Sequence, residues 1–333
     1  MSTSNTEAIE FDPSVVGNLP KDDDAESSSL HDSATSIAAS IYEYRTIHGR
    51  SYQSSKTTEY WAPTDAKQIQ GHDLIHQIML MLMDNKLFCS PAENLKNILD
   101  VGTGTGIWAI DMADEFPSAT VIGTDISPIQ PTWVPPNCSF QIDDAQLDWT
   151  FDKDAFDLVH VRHLYGGIDS WPRLYAQAFA HVRPGGWFEN SEIDLETRSE
   201  NPAVANDADH VFKTWCRLFW DAGDRVGKTF KIARDRAMER YMAEAGFVDI
   251  QHLSWKLPIG SWPRDPLLKR VGQLNGLFID QSLDGFALFP LGQIMGWSMD
   301  EVNALVDKMR VTLADPKSMA YYVVHTVYGR KPL

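Results

Sequence analysis

Residues 97–125, NILDVGTGTGIWAIDMADEFPSATVIGTD, constrain the fold more than any other stretch of the chain. Ile98, Leu99 and Val101 make a short apolar run of the kind that fills a buried parallel strand. A glycine-dense turn follows, then Ile107, Ile110, Met112 and Ala113 at helical spacing, ending at Phe116 and Pro117. A second apolar run, 119–123, leads to Asp125. Strand, turn, helix and strand form a βαβ unit, and its parallel strands require a right-handed crossover.

The turn carries Gly102, Gly104 and Gly106 as G-x-G-x-G. A dinucleotide fingerprint would put its third glycine at position 107, where this chain has Ile107. The spacing instead resembles motif I of class I S-adenosylmethionine methyltransferases. Without Cβ atoms such a turn can take φ > 0 and lie against a ligand. Asp100, just before the turn, suits the ammonium of that cofactor and would repel a phosphate. Asp125 stands 23 residues after Gly102, where such folds place a carboxylate on the ribose hydroxyls. Cofactor-binding candidates here are Asp100, Gly102, Thr103, Gly104, Gly106, Asp125 and Ile126; an unliganded structural turn is the competing reading.

A formal charge of −17 over 333 residues argues against a general nucleic-acid binder, which needs clustered Lys and Arg. Cys89, Cys138 and Cys216 lack metal-ligand spacing, so neither a disulfide framework nor a metal site is expected. The opening MSTSNTEAIEFDPS has no apolar core for a secretory signal, and no apolar run approaches the ~20 residues of a membrane span. A cytoplasmic or nuclear location, with no membrane association, is the expectation.

Residues 1–35, acidic and Ser-rich, read as a disordered tail. Residues 36–94 read as an aromatic and helical lid segment, with a helix over 66–86 and Arg50 and Tyr52 as cofactor contacts. Residues 95–333 read as a single Rossmann-like domain. The prolines of 128–136 predict an extended loop, and a third strand, 139–142, leads to Asp143, Asp144 and Ala145. Asp144 is the first choice to receive the adenine amino group, although two adjacent acids cannot be told apart by sequence. A fourth strand over 154–161 leads into Arg162, His163 and Tyr165. A helix over 171–182 and an RPGGW turn precede a fifth strand, 187–193, which carries Glu192 and leads to Asp194. Residues 201–245 and 265–315 read as helical inserts, the second interrupted by glycines, with strands over 246–255 and 320–328. The fold class is thus α/β, a seven-stranded Rossmann-like sheet with helical lid inserts and an N-terminal helical extension.

Taken together, ILDVGTGTGIWAIDMADEFP, VIGTDISPIQPTWVPPN, FQIDDAQLDWTF, RPGGWFE and VYGRKP resemble the fungal LaeA-like methyltransferases over about 36–333. The resemblance implies S-adenosylmethionine as cofactor and methyl transfer to O, N or S of a small molecule, in fungal secondary metabolism. It also implies an alternative, a nuclear regulator that works through velvet-type partners with little turnover. In methyl transfer, positioning is the leading contribution, with effective molarities of ~10⁵–10⁸ M setting its scale. A base is needed only for a hydroxyl, thiol or protonated amine. His163 is the candidate base, since an ordinary pKa of about 6.5 suits proton removal near neutrality; a structural histidine is the competing reading. Tyr165, Glu192 and Asp194 are candidates to orient the acceptor or neutralise a cationic amine, with surface solvation the competing reading for the two acids. The insert aromatics Phe212, Trp215, Phe219, Trp220, Phe278 and Phe286 suggest an apolar or ring-bearing ligand, with Trp215 and Phe219 as substrate contacts; core packing or a dimer face is the competing reading.

Overall fold

The computed structural model describes residues 7–15 and 44–333. A short hairpin, β1 (Arg45–Ile47) and β2 (Arg50–Tyr52), leads through 53–65 to helix α1 (Ala66–Leu82). The βαβ unit follows as β3 (Asn97–Val101), α2 (Ile107–Glu115) and β4 (Thr120–Asp125), and β5 (Cys138–Ile142) extends it. The chain then crosses to the other side of β3 with β6 (Phe156–Arg162), α3 (Trp171–His181) and β7 (Val182–Ser199). Helices α4 (Pro202–Ala205), α5 (Val211–Val226) and α6 (Ala237–Ala245) precede β8 (Val248–Pro258). Helices α7 (Pro266–Ala287) and α8 (Met299–Ala314) precede β9 (Ala320–Arg330).

The sheet order is β5-β4-β3-β6-β7-β9-β8. β3 to β7 run parallel, and β9 lies antiparallel to both β7 and β8. Burial explains the composition: Ile98, Leu99 and Val101 in β3, and Phe156 to Val161 in β6, are covered on both faces. Trp108, Met112 and Leu158 fill one side; Val159, Trp171, Leu174 and Tyr175 fill the other. A third cluster packs α1, α5, α7 and α8 together, with Ile78, Met79, Phe212, Trp215, Phe278 and Leu283 at its centre.

The seven strands appear where the sequence suggested, and the elements differ from the expectation in three respects. α1 stops at Leu82 because Asp84 and Asn85 take left-handed backbone, so the expected helix end at 86 is too late. β7 begins at Val182, ahead of the RPGGW segment, which is a register shift within the strand and not a turn before it. α7 runs unbroken through Gly272, Gly276 and Gly285. A Cβ on Gly272 would lie 2.1 Å from the Gly260 carbonyl oxygen, so that glycine permits close packing and does not break the helix.

Most of the expected 1–35 tail, and 36–43 of the lid segment, lie outside the described residues. Residues 7–15, however, pack on the body. Ile9 is buried beside Trp262 and Tyr321, Phe11 pairs with Pro263, and Asp12 binds Lys269.

Gly106 caps α2 with φ +81°, and a Cβ there would lie 2.2 Å from the Phe140 ring. Gly106→Ala therefore combines left-handed strain with overpacking, an expected loss of about 2–4 kcal/mol. Urea unfolding checks this: the midpoint should fall while the slope stays unchanged.

Candidate active site

Where the strand order reverses, the loops leaving β3 and β6 diverge and leave a crevice at the carboxyl edge. A cavity of about 160 Å³ occupies it, lined by the glycine turn, the ends of β4 and β5, the loop after β6, residues of α1 and the strap 58–64.

The turn is held from below. The Gly102 and Thr103 amides donate to the Thr124 carbonyl at 2.8 and 2.9 Å, anchoring it on β4. The Gly104 amide donates to Asp125 Oδ2 and the Ser127 amide to Oδ1, each at 2.9 Å. Burial nevertheless dominates at Asp125 and pushes its carboxyl up to about 6. A Cβ built on Gly104 would meet nothing nearer than His72 Nδ1 at 3.6 Å, so the backbone there is open to close approach.

Asp100 is buried at the cavity wall, and both its oxygens are engaged: His160 Nδ1 lies 2.7 Å from Oδ1, and Thr103 Oγ1 donates to Oδ2 at 2.6 Å. Asp143, Asp144 and Ala145 line the cavity beyond β5. Structure separates the two acids. Asp143 Oδ1 accepts the Asp144 amide and is partly exposed, whereas Asp144 is buried and its Oδ2 has no hydrogen-bond partner among the described residues.

His163 and Tyr165 line the cavity on the other side. His163 has φ 57°, and its Nε2 is buried without a partner among the described residues. Burial, reinforced by the Arg162 charge, holds its pKa well below 6.5. The imidazole is neutral and a weaker base than its ordinary pKa suggested. Burial also keeps the Tyr165 phenol protonated, with its pKa well above the usual tyrosine range.

Several expected site residues stand elsewhere. Arg50 binds Asp65 and Asp284, locking the hairpin to α1 and α7, and Tyr52 is fully buried against Phe289; neither lines the cavity. Gly106 faces Phe140. Glu192 is buried beneath the loop after β6, where its carboxyl accepts the Leu164 and Tyr165 amides at 3.0 and 3.1 Å. Asp194 is buried against Arg198. Both acids support backbone or charge and do not border the cavity. Trp215 and Phe219 line a second void of about 30 Å³, which shares Trp61, Tyr165, Ile193, Phe278 and Phe286 with the main cavity. Phe212 is core, and Trp220 lies under the Arg234 guanidinium at 4.0 Å.

The sequence reading missed the polar residues of α1 and β6. His72 lines the cavity, and burial pulls it down to about 4. His76 Nδ1 accepts from Arg162 at 3.1 Å, which makes Nε2 the donor to Asp111 at 2.8 Å. His160 stacks on Trp108 at 3.8 Å. Two histidines four residues apart on a helix with a broad apolar face, and a histidine inside a buried strand, were the available signals.

A parallel sheet with one reversed strand, a glycine turn after its central strand and acids at the neighbouring strand ends define a class I methyltransferase. Residues 72–252 match the methyltransferase-domain family. The chain is 37% identical to methyltransferase pytC of Aspergillus terreus, over 93% of this chain and 95% of that one. It is 34% identical to secondary metabolism regulator LAE1 of Cochliobolus heterostrophus, over 86% of this chain and 94% of that one. The chain is 30% identical to protein-methionine methyltransferase laeA of Emericella nidulans, over 87% and 77%. The chain belongs to this methyltransferase family, in its fungal LaeA-like branch, and the resemblance read from the motifs holds. It is a methyltransferase of the S-adenosylmethionine-dependent class.

Burial pushes Glu192 up to about 8, against an ordinary 4.5. The folded state therefore holds that proton more tightly, and the stability Glu192 contributes declines as pH rises from 4.5 to 8. Glu192→Gln cannot titrate, so its Tm relative to the parent should rise across that window. A difference that stays flat from pH 5 to 8 would contradict the assignment.

Proposed function

We propose that the chain transfers a methyl group to a small, apolar or ring-bearing molecule of fungal secondary metabolism. The observation that carries this reading is the continuity of the two chambers: residues of the glycine turn and an aromatic wall line one cavity, and that wall continues into the second void. Similarity to pytC over nearly the whole of both chains supports a dedicated enzyme.

The residues present fit S-adenosylmethionine. The buried, unpartnered Asp144 Oδ2 suits the adenine amino group, Asp125 suits the ribose hydroxyls, and the open face of Gly104 suits close contact with the ligand. When bound, the cofactor supplies an electrophilic methyl group on a sulfonium. The chain's part is to hold, orient and dry the site. Trp61, Phe278 and Phe286 exclude water from the acceptor side, and the neutral His163 Nε2 offers a hydrogen bond to an acceptor hydroxyl or amine. Tyr165, kept as a phenol, orients the acceptor from the same loop.

The similarity to LAE1 over 94% of that regulator favours a second reading, a regulator acting through velvet-type partners in the nucleus. Metabolite profiles of a deletion strain separate the two. Accumulation of one desmethyl compound is expected, and silencing of several pathways together would favour the regulator.

Asp125→Ala should weaken S-adenosylhomocysteine binding by about 1.5–3 kcal/mol, the range for hydrogen bonds to charged groups. The carboxylate form predominates above about pH 6, so affinity should be level near pH 7.5 and fall as the solution is acidified through 6. Asp125→Asn should abolish that dependence. Isothermal titration of parent and variants at pH 5.5, 6.5 and 7.5 checks both outcomes.

A further inference from the structure

Arg162 ends β6 at the crevice and lines the cavity beside Asp100, Gly102, Thr103 and His72. Its electrostatic situation is unusual for this chain. Other enclosed arginines face carboxylates: Arg50 has Asp65 and Asp284, and Arg198 has Asp194 and Glu196. Among the described residues no carboxylate lies within ion-pair distance of Arg162, and its one hydrogen bond goes to His76 Nδ1 at 3.1 Å. That imidazole is neutral, because burial lowers its pKa, and it passes only a hydrogen bond onward to Asp111. Asp100, the cavity-wall acid whose charge acts on Arg162, has both oxygens committed to His160 and Thr103. The neighbouring histidines His72 and His163 are likewise held neutral by burial and neutralise nothing. Burial opposes the Arg162 charge and pulls its pKa below the ordinary arginine value, although the charges of Asp100 and Asp111, both beyond ion-pair distance, offset part of that cost.

A desolvated guanidinium without a carboxylate is costly, and it retains several donors arranged to fit a planar anion. Such a group at the edge of a ligand cavity is completed by a carboxylate that arrives with the ligand. We propose that Arg162 is the seat of the α-carboxylate at the amino-acid end of the cofactor. This rests on the reading of the cavity as an S-adenosylmethionine site and adds a residue to it. Arg162 stands at the glycine turn, whereas Asp144 lies beyond β5, so the two residues grip opposite ends of one elongated ligand. A carboxylate on the acceptor has the same chemistry, and the test separates the two sources.

The probes are S-adenosylhomocysteine and its decarboxylated analogue, which keeps the amine and loses the carboxylate, each titrated calorimetrically into the full chain. The parent should bind S-adenosylhomocysteine about 10- to 150-fold more tightly than the analogue, the range of a charged hydrogen bond expressed as affinity. Arg162→Met should bring that ratio to within about threefold of unity, chiefly by weakening S-adenosylhomocysteine. Arg162→Lys, which keeps a point charge without the fork, should give an intermediate ratio and serves where the Met variant does not fold. A parent ratio near one overturns the proposal. So does a ratio that survives in the variants, which would leave Arg162 to an acceptor carboxylate or to structure alone. If the parent binds neither probe, the cofactor reading fails with it, an outcome distinct from binding both alike.

Discussion

The reversal of strand order between β3 and β6 is the constraint on which the rest depends. β4 and β5 are laid down on one side of β3, and β6 and β7 on the other. The loops leaving β3 and β6 must therefore diverge, and nothing in the sheet fills the gap between them. The chain uses that gap by placing a backbone turn on one bank and a buried histidine–arginine cluster on the other. Asp100 ties the banks together, since its carboxyl holds Thr103 of the turn and His160 of β6 at once.

Around that crevice, support and contact are divided among different acids. Glu192 holds the loop after β6 by its backbone amides, as Glu189 holds the Cys89 and Ser90 amides further along the same strand. Both are buried and pushed up, Glu189 to about 7 and Glu192 to about 8, which is the signature of desolvation against backbone donors. They shape the site without bordering it. Asp125 and Asp144 border it directly, and of these Asp144 keeps an acceptor unpaired among the described residues.

Local physics explains how much of this was legible in the sequence. The βαβ unit, the strand ends at Asp125 and Asp144, and the fold class follow from apolar runs, glycines and prolines, which act over a few residues. Arg50, Tyr52, Glu192 and Asp194 were misplaced for the opposite reason. A polar side chain near a ligand edge reads the same whether it faces the cavity or a backbone amide behind it, and only packing decides. Asp284, the partner that draws Arg50 away, lies 234 residues further along the chain. His72 and His76 were passed over, and Arg162 was placed at the sheet edge without a role, because their grouping depends on α1 lying across the end of β6, a relation no local pattern encodes. The inserts were readable as helices, but not as two helices flanking a wider, π-helical coil over 288–294, since Gly292 and Gly296 flag a break without giving its form.

Trp61 shows what the lid's construction entails. Its indole donates to the Tyr165 carbonyl at 3.0 Å, and its ring packs against Phe219, Phe230 and Phe286. One side chain thus fastens the strap to the loop after β6 and forms part of the boundary shared by the two chambers. The residues proposed to hold the cofactor sit at strand ends and the turns after them, and those proposed to surround the acceptor sit largely on the inserted helices and the strap. On such a scaffold a change in the helical wall would alter the acceptor chamber while leaving the strand tips as they are.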